Sequence, residues 1–175
     1  MSDFAKYQVY KKGNYVLVSD ERSIYKIINR TENDKQPHLS DFILEKLGTQ
    51  EKLSNVKHSK FEKIGLNEIY LIDFGFNVSE EITRKIFITR NLTVEDFKSY
   101  QGSNYISKVY KKDNLIIVDE TLPKSYNIYH IYIEIEEKIE YFKINSIHSL
   151  QNFLEENKNI TEIDFDEIML KKISK

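Results

Sequence analysis

Hydrophobic and polar positions alternate along much of the chain, and two stretches repeat the same alternation without a gap. Val9-Tyr10-Lys11-Lys12-Gly13-Asn14-Tyr15-Val16-Leu17-Val18 is matched by Val109-Tyr110-Lys111-Lys112-Asp113-Asn114-Leu115-Ile116-Ile117-Val118. Each has two runs of β-branched and aromatic residues around a polar tip. Gly13-Asn14 and Asp113-Asn114 can supply the positive φ angles of a tight turn, so both stretches are predicted to be β-hairpins.

The correspondence extends further along both halves. Residues 69–74 match residues 128–133 as a strand, and residues 85–89 match 141–144 as the next. A helix follows each pair. The first is expected to start near Thr93 and end before Gly102; the second is capped by Ser146 and carries Ile147, Leu150, Phe153 and Leu154 at helical spacing. The first half also carries an insertion at about residues 30–60, where Ser40, an apolar stripe through Phe42, Leu44 and Leu47, and Gly48 predict a short helix. From residue 159 onwards Ile160, Ile163, Ile168 and Leu170 lie among acids and lysines, as in a terminal helix or a strand followed by a helix.

These elements predict an α+β fold of two related β-β-β-β-α units, an internal duplication, with antiparallel sheets and helices packed on one face. The first unit spans residues 1–103 with its insertion, the second 104–158, and residues 159–175 form a C-terminal extension, all packed in one compact domain.

Composition narrows the chemistry. Among 175 residues 40% are hydrophobic and 31% charged, enough apolar surface for a core and too much for a disordered chain. Cysteine is absent, which excludes a disulfide framework, a thiolate metal site and a cysteine nucleophile. The polar start of the chain and the lack of any long apolar run place it, as an expectation, in the cytoplasm and away from membranes. A formal net charge of −2 gives no whole-molecule attraction to phosphate backbones.

No catalytic constellation emerges. His38, His58, His130 and His148 fall on different elements without ligand spacing, so no metal site and no cofactor are expected. A metal-dependent nuclease needs an aspartate and an acid-x-lysine pair on neighbouring strands. Asp119 with Glu136, Glu137 and Lys138 fits that loosely, but a charged hairpin tip accounts for the same residues. Asp73, inside an apolar run read as a strand, is either buried with a perturbed pKa or turned outward by period-two alternation; the latter is the simpler reading.

What remains is a surface. With 12 tyrosines and 10 phenylalanines the chain has the large amphipathic side chains that protein interfaces favour, although covering a sheet uses most of them. The expected function is therefore non-enzymatic: a protein-binding or inhibitory protein that occludes a partner, such as a toxin or a nuclease. By analogy of size and composition this is the profile of bacterial or phage immunity proteins, antitoxins and anti-defence inhibitors. Candidate partner-binding residues are Glu32, Asp34, Asp41 and Glu45 in the insertion and Glu162, Asp164, Asp166 and Glu167 in the tail. The alternative is a nucleic-acid binder, with Tyr10, Lys11, Lys12, Tyr110, Lys111 and Lys112 stacking bases and meeting phosphates. An exposed edge strand in either unit would also allow a homodimer.

Overall fold

The computed structural model describes residues 7–31, 40–82, 106–119, 129–135 and 138–173. Its contacts form two compact units: one takes residues 1–66, 145–158 and 162–175, the other 67–144 and 159–161. The contact units part at residues 66/67 and 144/145. Both the Ser146-capped helix and most of the C-terminal segment return to the first unit. The architecture is α+β, with antiparallel sheets and a few helices.

In the first unit β1 (Tyr15–Val18), β2 (Ser23–Thr31), β3 (Asp41–Lys46), β4 (Lys52–Val56) and β5 (Phe61–Lys63) form a five-stranded sheet ordered β4-β3-β2-β1-β5. Val16 lies opposite Tyr25 and Ile27 opposite Leu44, so alternate residues gather on one face. Val16, Val18, Tyr25, Ile27, Phe42, Leu44 and Phe61 make a buried cluster there. The helix expected over residues 40–48 is instead β3. Its burial alternates, with Phe42 and Leu44 inside and Asp41 and Ile43 less so, and Gly48 (φ +80°) serves the turn into β4.

The matched stretch at residues 9–18 is not a hairpin, because only Tyr15–Val18 is a strand. Residues 7–12 are held by side chains instead of by a ladder, and the Gly13 amide donates to the Ile27 carbonyl of β2 at 2.7 Å. In α2 (Ile147–Glu156), His148 Nε2 lies 3.1 Å from the Gln8 carbonyl, Asn152 Nδ2 donates to the carbonyls of Tyr7 (3.0 Å) and Val9 (2.7 Å), and Gln151 Nε2 donates to that of Gly13 (2.9 Å). Arg30 donates to the Tyr10 carbonyl at 2.6 Å. Once these carbonyls have donors, the segment has no need of a neighbouring strand. The helix itself starts as expected, at Ser146, through a capping box with Ser149.

In the second unit β6 (Asn77–Ile82), β7 (Ile106–Lys112), β8 (Leu115–Asp119), β9 (Tyr129–Ile135) and β10 (Lys138–Ile144) form an antiparallel meander ordered β10-β9-β8-β7-β6. The hairpin at residues 109–118 appears as predicted, turning through Asp113 at φ +52°. The strand expected over residues 69–74 is instead helix α1 (Glu68–Asp73). The Asn67 side chain caps it by accepting from the Tyr70 amide, and Gly75 (φ +99°) ends it. Asp73 is thus exposed at a helix terminus and not within a strand. The strand expected at residues 85–89 and the helix expected near Thr93 lie outside the described residues.

Candidate partner-binding surface

The last helix, α3 (Phe165–Ile173), carries two of the four tail acids, Asp166 and Glu167. Asp164 caps its start, its side chain accepting from the Glu167 amide at 3.0 Å. Met169 is buried beneath it. Asp166 accepts hydrogen bonds from the Tyr15 hydroxyl and from Lys26 Nζ, the latter at 2.8 Å, and Lys26 also lies 5.9 Å from the centre of the Tyr15 ring. Tyr15 and Lys26 are cross-strand neighbours, on the face of the sheet opposite the Val16–Tyr25 pair. α3 is therefore fastened to the face that the cluster leaves.

Electrostatics follow from that contact. Burial works against ionisation of Asp166, but the hydrogen bonds from Lys26 and Tyr15 outweigh it and hold the carboxyl below its ordinary value. The Tyr15 hydroxyl is pushed up, first by burial and then by donating to Asp166. Asp166 is an anchor more than a free surface charge.

At 100° per residue, Ile173, Asp166, Leu170 and Glu167 follow one another around α3. Leu170 is 48% exposed and Ile173 41% exposed, so two large apolar side chains are partly open to water, Leu170 between the two carboxylates and Ile173 on the far side of Asp166, against Gly48. Neither was among the residues predicted for a site. Their spacing of three was visible in the sequence, yet an apolar pair in an amphipathic helix is ordinarily assigned to the core.

The other predicted residues are dispersed. Asp41 pairs with Lys57 at 2.6 Å, Glu45 stands in register with Lys26 on β2 and Lys52 on β4, and Glu167 accepts from Lys171 at 2.9 Å. Glu162 and Asp164 are exposed beside α3, while Glu32 and Asp34 lie outside the described residues. The acidic surface is therefore narrower than the sequence implied, because lysines one strand or one helical turn away neutralise much of it.

Of the alternative set, Tyr110 is fully buried, and the Tyr10 ring packs 4.9 Å from Phe61 and is stacked on His148 at 4.4 Å. These rings are committed to their cores. Lys11 and Lys12 belong to one unit and Lys111 and Lys112 to the other, with Lys12 and Lys111 exposed. Among the described residues no cluster of three or more histidines and carboxylates is arranged to hold a metal, and no helix is long and apolar enough to cross a membrane.

No protein-family model matches the chain, and no curated protein or solved structure matches it either. The functional reading therefore rests on this surface.

Proposed function

We propose that the chain is a non-enzymatic binding protein that occludes a protein partner, in the manner of an immunity protein, an antitoxin or an anti-defence inhibitor of bacterial or phage origin. The observation that carries the reading is the outward ridge of α3, where exposed Leu170 lies between Asp166 and Glu167 and exposed Ile173 lies on the other side of Asp166. Apolar side chains set among charged ones are compatible with a protein interface, and the anchoring of α3 to Tyr15, Lys26 and the core by Met169 pre-organises it for docking. Glu162 and Asp164 extend the acidic rim and would steer a basic partner.

The test is an affinity capture with tagged protein from the native host, with nuclease treatment, run beside a Leu170→Glu/Ile173→Glu bait. A stoichiometric protein held by the parent and lost by the double variant supports the reading. Equal capture by both baits would remove α3 from the interface, and recovery of nucleic acid alone would favour Lys11, Lys12, Lys111 and Lys112 as phosphate contacts. The descent of both halves from one unit is a further proposal. It rests on the ungapped match, of which Tyr15–Val18 and residues 115–118 are strands in both copies.

A further inference from the structure

The segment before β1 is bound as a peptide ligand is bound. Its carbonyls at Tyr7, Gln8 and Val9 meet side chains of α2, and that of Tyr10 meets Arg30. Two rings anchor it. Tyr7 is buried with its ring edge-on to Phe153 at 5.4 Å, and its hydroxyl donates to Glu156 at 3.3 Å; Tyr10 enters the aromatic group of Phe42, Phe61 and His148. The receptor thus reads main-chain carbonyls and two tyrosines three residues apart. Nearly all of these partners are remote in sequence, so the arm owes little to its own neighbours.

The arm joins the sheet through one turn. The Asn14 amide donates to the Lys11 carbonyl at 3.1 Å, the Asn14 side chain accepts from the Lys11 amide at 2.8 Å, and Gly13 sits at φ +96°. A positive φ at the third position is what glycine allows and branched residues resist. If this turn extends, the arm leaves its own receptor with every recognised group intact.

We propose that this arm is exchangeable, and that its receptor on α2 accepts the same arm from a second copy of the chain to give a reciprocal dimer. The second copy is the partner because the receptor is already complementary to this arm. Closed monomer and exchanged dimer share the arm contacts and differ in the Lys11–Asn14 turn and in concentration. A short tether gives the closed form an effective concentration on the order of millimolar, so the native turn favours the monomer, and weakening the turn shifts the balance. The inference is independent of partner binding through α3.

Sedimentation of the full-length protein from about 10 µM to about 1 mM tests it. Gly13→Val should raise the dimer association constant roughly tenfold over the parent, whereas Gly13→Asn, which tolerates a left-handed φ, should leave it near the parental value. A complementing pair gives a second readout. Asn152→Leu damages the receptor and keeps the arm, Tyr7→Ala/Tyr10→Ala damages the arm and keeps the receptor, and refolding the two together should produce a heterodimer with one intact arm–receptor pair. Recovery of that heterodimer supports exchange even where each variant alone fails to fold. The proposal is overturned if folded Gly13→Val stays monomeric throughout the range, or if the co-refolded pair behaves as the sum of its separate components.

Discussion

Asn152 is satisfied in three directions at once. Its amide nitrogen donates to the Tyr7 and Val9 carbonyls and its oxygen accepts from Asn14 at 2.9 Å, all within the core. Asn152→Leu keeps the branched shape but leaves these groups without a partner, and it should lower unfolding free energy by about 2–4 kcal/mol in urea titrations. His148 makes a complementary prediction about pH. Burial, with Lys63 nearby, lowers its pKa to about 4, against the opposing effect of its hydrogen bond to Gln8. A folded value below the ordinary 6.5 means that the unfolded chain binds the proton first. The contribution is complete above pH 6.5 and is lost as pH falls through 4, at roughly 3 kcal/mol over the window. Urea midpoints of the parent should fall across that window, and His148→Phe should flatten the slope. At this scale the sequence showed the local pairs, such as Ser146 with Ser149 three residues on. It could not show Asn14 with Asn152, since nothing in either neighbourhood marks a partner 138 residues away.

At the scale of elements, α3 is a helix of nine residues whose only buried side chain is Met169. Such a helix is marginal in isolation, so its order depends on the Asp166 contacts with Tyr15 and Lys26. Tyr15→Phe and Asp166→Ala should each destabilise the protein by about 1 kcal/mol, and the double variant should cost less than their sum because both remove the same hydrogen bond. Amide exchange across Phe165–Ile173 should accelerate in Asp166→Ala more than exchange in α2 does. Elements were legible where one period dominated: the residue 109–118 hairpin, α2 and the terminal helix. They were misread where an apolar run carried two periods. Ile69, Leu71 and Ile72 suit a strand as well as a helix, and the deciding signs were Asn67 before the run and Gly75 after it. In β3 the extra apolar Ile43 concealed the alternation of Phe42 and Leu44.

For the whole molecule, the arrangement of units explains why a reading by consecutive segments divided the chain differently. The first unit is closed by pieces from both sides of the sequence: β5 leads into Gly65, which bridges to Ser146, and the Leu66 amide donates to the Asn145 carbonyl at 3.2 Å. Residues 67–144 of the second unit leave and re-enter through this point, as an insertion would, and residues 159–161 join that unit in a second, shorter excursion. Neither hydrophobic pattern nor composition marks such a closure, because it is a property of contacts between residues far apart in the chain. It makes a direct prediction. Removing residues 67–144 and joining Leu66 to Asn145 through a short glycine-serine linker should leave the first unit able to fold, since its sheet, α2 and α3 all remain. Residues 159–161 lose their own unit, and exposing Ile160, which is buried in the intact chain, should lower stability modestly without removing the fold. A cooperative urea transition with dispersed amide resonances is the expected outcome. The reciprocal truncation after Ile144 should not fold in its first unit, because it deletes Ile147, Leu150 and Phe153 along with the side chains that hold residues 7–13. If the linked unit is unfolded while the truncated chain keeps a cooperative first sheet, the closure at Gly65 and Ser146 is not what holds that unit together.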